Sequence, residues 1–370
     1  MKAVLILTGV IAPFAMQADQ AMPNSNQMMS NSANTQQASY LPGEMVRDGQ
    51  MPAGYNQTAS FVANGGWDVF FVGDFLYWHL NQDTQDMGTI IDTTSSGVAA
   101  IVNGDGQSIR FNPSYKPGFQ VGMGFNMKGM DNWAVFGEYT WYQNKTSKSV
   151  TADSDQVIVA ATGLLLDRTV TAGSISGSSR YHYNNGLIAF NRAFYWGKKL
   201  TGNFGCGLRG LWVSQHASTT ASDLSYVGYT KATLIPESGN LSTKIEQESW
   251  ALGPRCKLDT NWLLGYGFRL MGEVAGSVLY TRYTENEFSF IESSYANYSK
   301  STNPVNTLRA ITEMSMGLGW GSYFGDNNDF HFDLGAGYDF DVYWNQNLSM
   351  TGSPGNTYIH GLNVSVRLDF

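Results

Sequence analysis

Charged residues are scarce in this chain. Asp, Glu, Lys and Arg make up 14% of its 370 residues, well below the roughly 25% of a typical soluble domain. Long apolar runs are also missing, and none approaches the roughly 18 residues of a membrane-spanning helix. The net charge of −8 argues against nucleic acid as a partner. The chain is therefore a poor match for an ordinary soluble domain and for a helical membrane protein.

Cysteine is nearly absent. Cys206 and Cys256 are the two that occur, which excludes a disulfide-rich scaffold, and their spacing fits no zinc motif. An oxidising compartment allows one bridge between them. The alternative is two small apolar side chains on separate strands, which we favour. We expect no metal site and no cofactor.

Aromatic residues and glycines are abundant. Phe, Trp and Tyr make up 14% of the chain, and 41 residues are glycine. A membrane crossing without helices requires closed β-structure, because every backbone polar group in lipid must be paired between strands. The composition therefore favours a β-barrel in a membrane.

The N-terminus is typical of a secretory signal. Lys2 supplies the positive charge, Ala3–Ala15 the apolar stretch, and Ala15 or Ala18 a small residue for cleavage. The polar stretch that follows is rich in Gln, Asn, Met and Ser and shows no period. We predict a signal peptide over 1–18, a disordered leader over 19–60 and a barrel over 61–370.

Period-two alternation dominates the rest of the chain and is clearest at the C-terminus. Every second residue from Tyr358 to Phe370 lies on a mainly apolar face, opposite Asn363, Ser365 and Arg367. A tilted strand of about 9–11 residues crosses a bilayer. A terminal Phe in such a strand resembles the signal that bacterial barrels present to their assembly machinery. We therefore expect Phe370 to be an assembly signal.

The same alternation predicts ten strands, at about 67–80, 119–127, 132–142, 181–196, 200–215, 250–259, 268–281, 308–320, 329–344 and 358–370. Asn191 and Arg192 put a polar group on each face of the fourth strand, which a β-bulge reconciles. Ser108–Phe111, Val157–Leu166 and Leu224–Leu234 are candidates for further strands.

The connections between these strands alternate between short and long. Short links fall at Lys128–Asp131, Gly197–Lys199, Asp259–Asn261 and Gly325–Asn328, and long polar links at 81–116, 143–180, 217–243, 284–307 and 345–357. Short periplasmic turns and long extracellular loops are characteristic of outer-membrane barrels. We predict an all-β fold: a transmembrane antiparallel up-and-down β-barrel with an even number of strands, at least ten and up to fourteen. The expected location is the outer membrane.

The apolar strand faces carry no charge, as expected where they meet lipid. The opposite faces carry many charges with an acidic excess, which predicts a weak cation preference. We expect nine side chains to line a pore: Arg209, Arg255, Arg269, Glu273, Arg309, Glu313, Asp333, Asp339 and Arg367.

Two interiors are compatible with this inner face. The charges line water, or they pair across a narrow barrel filled by side chains, as ten strands suggest. We favour the aqueous lumen because so many charges are difficult to pair in a dry interior.

Catalysis finds little support in the sequence. Asp329, His331 and Asp333 share a face near a periplasmic turn, but no third metal ligand follows from spacing. We expect solvated lumen or rim residues there and no enzyme.

Several strand fragments together resemble a known family. They are Phe75-Leu76-Tyr77-Trp78, Gly207 to Trp212, Gly253 to Thr260 before Trp262, and Gly335-Ala336-Gly337-Tyr338. In order and spacing they resemble the Legionella-type pore-forming outer-membrane proteins, which are similar to the chlamydial major outer-membrane protein. The resemblance covers about 67–370 and is strongest between 190 and 283.

The resemblance implies a porin-like role in the diffusion of small hydrophilic solutes and a share in envelope structure. It supplies no catalytic residues. Expected partners are outer-membrane lipid, the barrel assembly machinery and small solutes or ions, with a monomeric or trimeric assembly. The chlamydial proteins are cross-linked through many cysteines, and two cysteines do not predict such cross-linking here. The alternatives are a structural or adhesive barrel acting through its long extracellular loops and, third, a hydrolase with a site at the rim.

Overall fold

The computed structural model describes residues 59, 63, 68–83, 85–92, 106–127, 133–161, 170–227, 234–236, 239–292, 296–301, 304–325, 328–347 and 354–370. The predicted signal segment and, apart from Ala59, the predicted leader lie outside the described residues. So do the link at Lys128–Asp131 and parts of the longer links. No helix in the described ranges is long and apolar enough to cross a membrane.

The described residues form fifteen β-strands in one antiparallel sheet. In chain order they are β1 (Val69–Gln82), β2 (Asp86–Asp92), β3 (Gln107–Arg110), β4 (Lys116–Met127), β5 (Trp133–Thr151), β6 (Gln156–Ala160), β7 (Val170–Tyr195), β8 (Leu200–Val227), β9 (Leu234–Pro236), β10 (Leu241–Gly265), β11 (Phe268–Glu292), β12 (Ala296–Ser301), β13 (Val305–Phe324), β14 (Phe330–Asn347) and β15 (Gly355–Asp369).

Ten of these strands close into a ring. The neighbours around it are β7, β5, β4, β1, β15, β14, β13, β11, β10 and β8, and β8 pairs again with β7. These ten strands are the ten that alternation predicts, and the barrel fold is confirmed. Closure satisfies every strand edge, which a bilayer requires.

The outward face of the ring is apolar, as predicted. Phe75, Met123, Leu208 and Leu318 are each at least half exposed, and dozens of similar side chains share this face. A soluble domain rarely exposes a contiguous apolar area of this size. The face is therefore the lipid-facing surface of the barrel.

Four barrel strands are much longer than predicted. β7, β8, β10 and β11 each have at least 25 residues, whereas about 9–11 cross a bilayer. At the end with the long loops they continue past the barrel wall and join β2, β3, β6, β9 and β12. Three of these short strands overlap the predicted additional strands. They extend the sheet without adding to the ring, so the ring itself keeps ten strands.

The extension has a hydrophobic core of its own, which includes Met87, Ile158, Ile175, Leu224 and Leu241. Each of these side chains is almost fully buried. This core holds the extracellular ends of the strands in one ordered sheet.

Two local predictions are wrong. Asp259–Asn261 is not a turn: it lies inside β10, and the turn comes at Gly265, Tyr266 and Gly267, all of which have positive φ. Asp259 and Asn261 are polar because they face the barrel interior. In the sequence, such residues have the same composition as a turn.

The predicted bulge in the fourth strand is also absent, because β7 keeps one register with β5 from Trp133 to Thr151. Asn191 points inward and is buried, and Arg192 lies on the outward face three residues before the strand ends. An outward Arg is tolerated there, since its head reaches the polar rim of the membrane.

Candidate functional site inside the barrel

Arg209 is the centre of the barrel interior. It lies on β8 and its side chain is 2% exposed. Its Nε donates to Asn185 Oδ1 at 2.7 Å and its Nη2 to the hydroxyl of Tyr183 at 2.8 Å. Its Nη1 contacts the carboxylate of Glu313 on β13. Every donor group of this buried guanidinium therefore has an acceptor, either on the neighbouring strand β7 or on a strand farther around the ring.

A network of ion pairs continues from Glu313 toward the periplasmic turns. Arg255 Nε donates to Glu313 Oε2 at 2.6 Å, and Arg255 Nη2 to Glu273 Oε1 at 3.0 Å. Lys257 lies 2.9 Å from Asp259 and 3.7 Å from Glu273. Cations on β10 thus alternate with carboxylates contributed by β10, β11 and β13.

Two further groups lie at the periplasmic end. Arg269 Nη2 donates to Asp333 Oδ1 at 2.6 Å. Asp369 accepts from Arg367 at 2.5 Å and lies 2.9 Å from His331 Nδ1. His331 therefore pairs with a residue of the last strand. Asp333, which shares its face in the sequence, pairs instead with Arg269.

The opposite wall of the interior is acidic. It consists of Asp74 on β1, Glu138 on β5, and Asp339 and Asp341 on β14. None of the four contacts a basic side chain within the described ranges. Asp339 accepts instead from the indole Nε1 of Trp78 at 3.1 Å. Most inward cations thus lie on β8, β10 and β11, whereas these four carboxylates lie on β1, β5 and β14. Arg367 on β15, between β1 and β14, pairs with Asp369.

A cavity of about 390 Å³ lies between these walls. Its lining includes Asn126, Thr201 and Asn261 near the periplasmic ends of their strands, together with Arg209 and Asp341 deeper in the barrel. Ala59, which precedes β1, also lines it and donates its N–H to Ala193 O at 3.1 Å. The polar cavity thus occupies the periplasmic half of the barrel.

An apolar layer closes the interior above this cavity. Its members are buried inward-facing side chains from ring strands: Leu76, Trp78, Leu80, Tyr142, Tyr181, Tyr183, Leu211, Val213, Ala251, Leu279, Ile311, Tyr343 and Ile359. We call this set the apolar layer.

Two tyrosines of the apolar layer meet across the barrel. Tyr183 lies on β7 and Tyr343 on β14, which are five places apart in the ten-strand ring and hence opposite each other. The Tyr343 hydroxyl donates to the Tyr183 hydroxyl at 2.8 Å, and the ring centroids are 5.8 Å apart. This contact bridges the whole width of the interior.

Eight of the nine predicted pore-lining residues surround the polar cavity. The ninth, Arg309, is buried elsewhere, with its guanidinium carbon 5.8 Å from the ring centroid of Tyr283. Phe370 donates its N–H to Val69 O at 3.0 Å, and its ring packs against Phe71 and Phe330 on the outward face. The sequence did not predict the contact between Tyr183 and Tyr343. Its one signal was the alternation that places Tyr181 and Tyr183 on the inward face.

The inner charges pair more completely than we expected. Most inner cations pair with carboxylates, because neighbouring strands bring opposite charges into register and a ten-stranded ring is narrow enough for Arg to reach across. The acidic wall consists of carboxylates that this pairing leaves without a direct contact to a cation.

The cysteine interpretation we favoured is also wrong. Cys206 on β8 and Cys256 on β10 are direct cross-strand partners, with Cα atoms 4.2 Å apart, and form a disulfide. Fifty residues separate them in sequence, so only strand pairing brings them together.

The sequence as a whole matches one family model over residues 26–366, that of the Legionella pneumophila major outer membrane protein precursor. The chain belongs to this family. The resemblance of its strand fragments is thereby confirmed, and the protein is an outer-membrane β-barrel located in the outer membrane. No curated protein matches the chain in sequence.

Solved structures with a similar arrangement are distant. The outer membrane protease OmpT from Escherichia coli is 7% identical, with a TM-score of 0.35, and the match covers 84% of this chain and 99% of that one. The Pseudomonas putida toluene transporter TodX is 10% identical, with a TM-score of 0.26 and 82% and 89% coverage. At these scores neither protein supports an argument about activity here.

Proposed function

We propose that this barrel is a pore for small hydrophilic solutes or ions, in a closed state in this structure. The observation that carries the proposal is the charged cavity inside the membrane-spanning ring. Buried ion pairs contribute little net stability compared with well-packed apolar side chains. A purely structural barrel therefore gains little from these charges, whereas a pore uses charged side chains to select the solutes that pass.

The apolar layer is the gate in this proposal. Small solutes that enter the polar cavity from the periplasmic half meet Tyr183 and Tyr343, whose contact blocks the way outward. Opening requires these two rings to separate. The proposal assigns the barrel no catalytic step.

Conductance of the purified protein in a planar bilayer tests the pore. The variant Tyr183→Ala/Tyr343→Ala removes both bridging rings, and we expect larger or more frequent openings than in the parent protein. The matched control, Tyr183→Phe/Tyr343→Phe, keeps the rings and loses only the hydroxyl contact. We expect it to stay much closer to the parent protein.

A second candidate is a structural or adhesive surface barrel. It is favoured by the extracellular extension, whose separate core gives the loops an ordered base. If the Tyr→Ala double variant folds and still forms no channel, the pore proposal is wrong and this second function takes its place.

A further inference from the structure

We propose that the outer face of β5 and β7, just above the lipid-facing belt, binds the phosphate groups of the glycolipid in the outer leaflet. The site consists of Lys145 and Arg180, with His182 and His216 beside them. This inference is independent of whether the barrel conducts.

A row of tryptophans marks the membrane level on this side of the barrel. In register around the ring lie Trp141, Asn184, Trp212 and Trp250. The Tyr139 hydroxyl donates to Asn184 Oδ1 at 2.7 Å and completes the row. Trp and Tyr prefer the headgroup region of a bilayer. The headgroups of the outer leaflet therefore lie at this row.

Two basic residues face each other four positions farther along these strands. Lys145 and Arg180 are direct cross-strand partners, and both side chains are exposed on the outward face. Like charges directly opposite each other destabilise a strand pair. Neither residue contacts a carboxylate in the described part of the chain. A bound anion supplies the compensation that this pair lacks.

The neighbouring groups direct an anion to this place. His216 on β8 is the cross-strand partner of Arg180 and lies 3.4 Å from Glu246. Glu246 also forms an ion pair with Lys244 at 2.7 Å. Beyond Glu246 come Glu285 and Glu287, which bring three carboxylates within 4.8 Å of one another. The outer face is therefore basic over β5 and β7 and acidic over β10 and β11, and an anion prefers the basic side.

The height of the pair favours a lipid phosphate. Four residues of strand span about 13 Å, which is about 9 Å of height at a 45° tilt. Long Lys and Arg side chains reach back toward the headgroups. One row higher, Ser178 and Ser218 present hydroxyls 3.1 Å apart, which suit hydrogen bonding to sugar. A phosphorylated glycolipid meets both features, whereas a free phosphate uses only the first.

Binding of bisphosphorylated lipid A to the purified barrel in detergent, followed by native mass spectrometry, tests the site. We expect Lys145→Gln/Arg180→Gln to weaken binding at least about tenfold, the effect of losing one charge-assisted hydrogen bond. The matched control is Lys198→Gln/Lys199→Gln, which removes the same charge from two exposed residues at a periplasmic turn. We expect the control to bind as the parent does.

Three results overturn the proposal: unchanged binding in the Lys145/Arg180 variant, an equal loss in the Lys198/Lys199 control, or full displacement of lipid A by inorganic phosphate at the same concentration. The last result identifies a free-anion site. Folding of each variant is checked by its heat-dependent shift on a denaturing gel. If the Gln variant does not fold, Lys145→Arg/Arg180→Lys serves instead, and it must keep lipid A binding with its normal weakening by salt.

Discussion

Replacing Glu313 by Gln tests whether the barrel interior is dry. The carboxylate of Glu313 contacts Arg209 and accepts a hydrogen bond from Arg255 Nε at 2.6 Å. The side chains of the two arginines are only 2% and 11% exposed. Neutralising Glu313 leaves two nearly buried cations with one carboxylate fewer, and breaking a buried pair in this way costs about 3–5 kcal/mol. Because Gln keeps one oxygen acceptor, we expect a loss of about 3 kcal/mol.

The free energy of unfolding in lipid vesicles, measured by urea titration, is the appropriate quantity. Asp86→Asn is the control, since Asp86 accepts from Arg110 at 2.6 Å while the two side chains are 39% and 65% exposed. Exposed pairs contribute about 0–1 kcal/mol. If Glu313→Gln costs no more than Asp86→Asn, water surrounds the Arg209 network and the interior is an aqueous lumen after all.

Three further outcomes are expected. Cys206 and Cys256 should react with an alkylating agent only after reduction, and free thiols in the oxidised protein would contradict the disulfide. Loss of the bridge should lower the free energy of unfolding by up to about 4 kcal/mol, the value for a 50-residue loop. The pKa of His182 lies below its ordinary 6.5, because of burial first and Arg180 next. Since protonation of this imidazole is disfavoured in the folded protein, the barrel loses stability as the pH falls through that depressed pKa. Bound lipid phosphate should raise this pKa, which NMR can follow, and an unchanged value contradicts the phosphate site. Gly253→Ala should impair folding, because a Cβ there would come within 2.1 Å of Val278 O; normal yields of folded barrel would show that the strands can separate locally.

Alternation along the chain was sufficient to predict the ten barrel strands and their lipid-facing sides. This works because a strand in a membrane wall has lipid on one side and the interior on the other, so each residue's face follows from its parity. Short and long links also predict the orientation, because outer-membrane barrels have short periplasmic turns and long extracellular loops. The turn at Gly265–Gly267 was misplaced because inward Asp and Asn residues have the same composition as a turn.

Parity places side chains such as Arg209 and Tyr183 on the inner wall but does not say what they meet there. Contacts inside a closed ring join strands far apart in sequence, as the hydroxyls of Tyr183 and Tyr343 show. Their meeting depends on ring size and strand stagger, which are properties of the closed barrel. The same holds for Cys206 and Cys256, whose bond follows from register. The amino-acid pattern alone therefore determined that this chain is an outer-membrane barrel with a charged interior. Only the tertiary structure decided that most of those charges pair, that one wall stays acidic and that an apolar layer closes the interior.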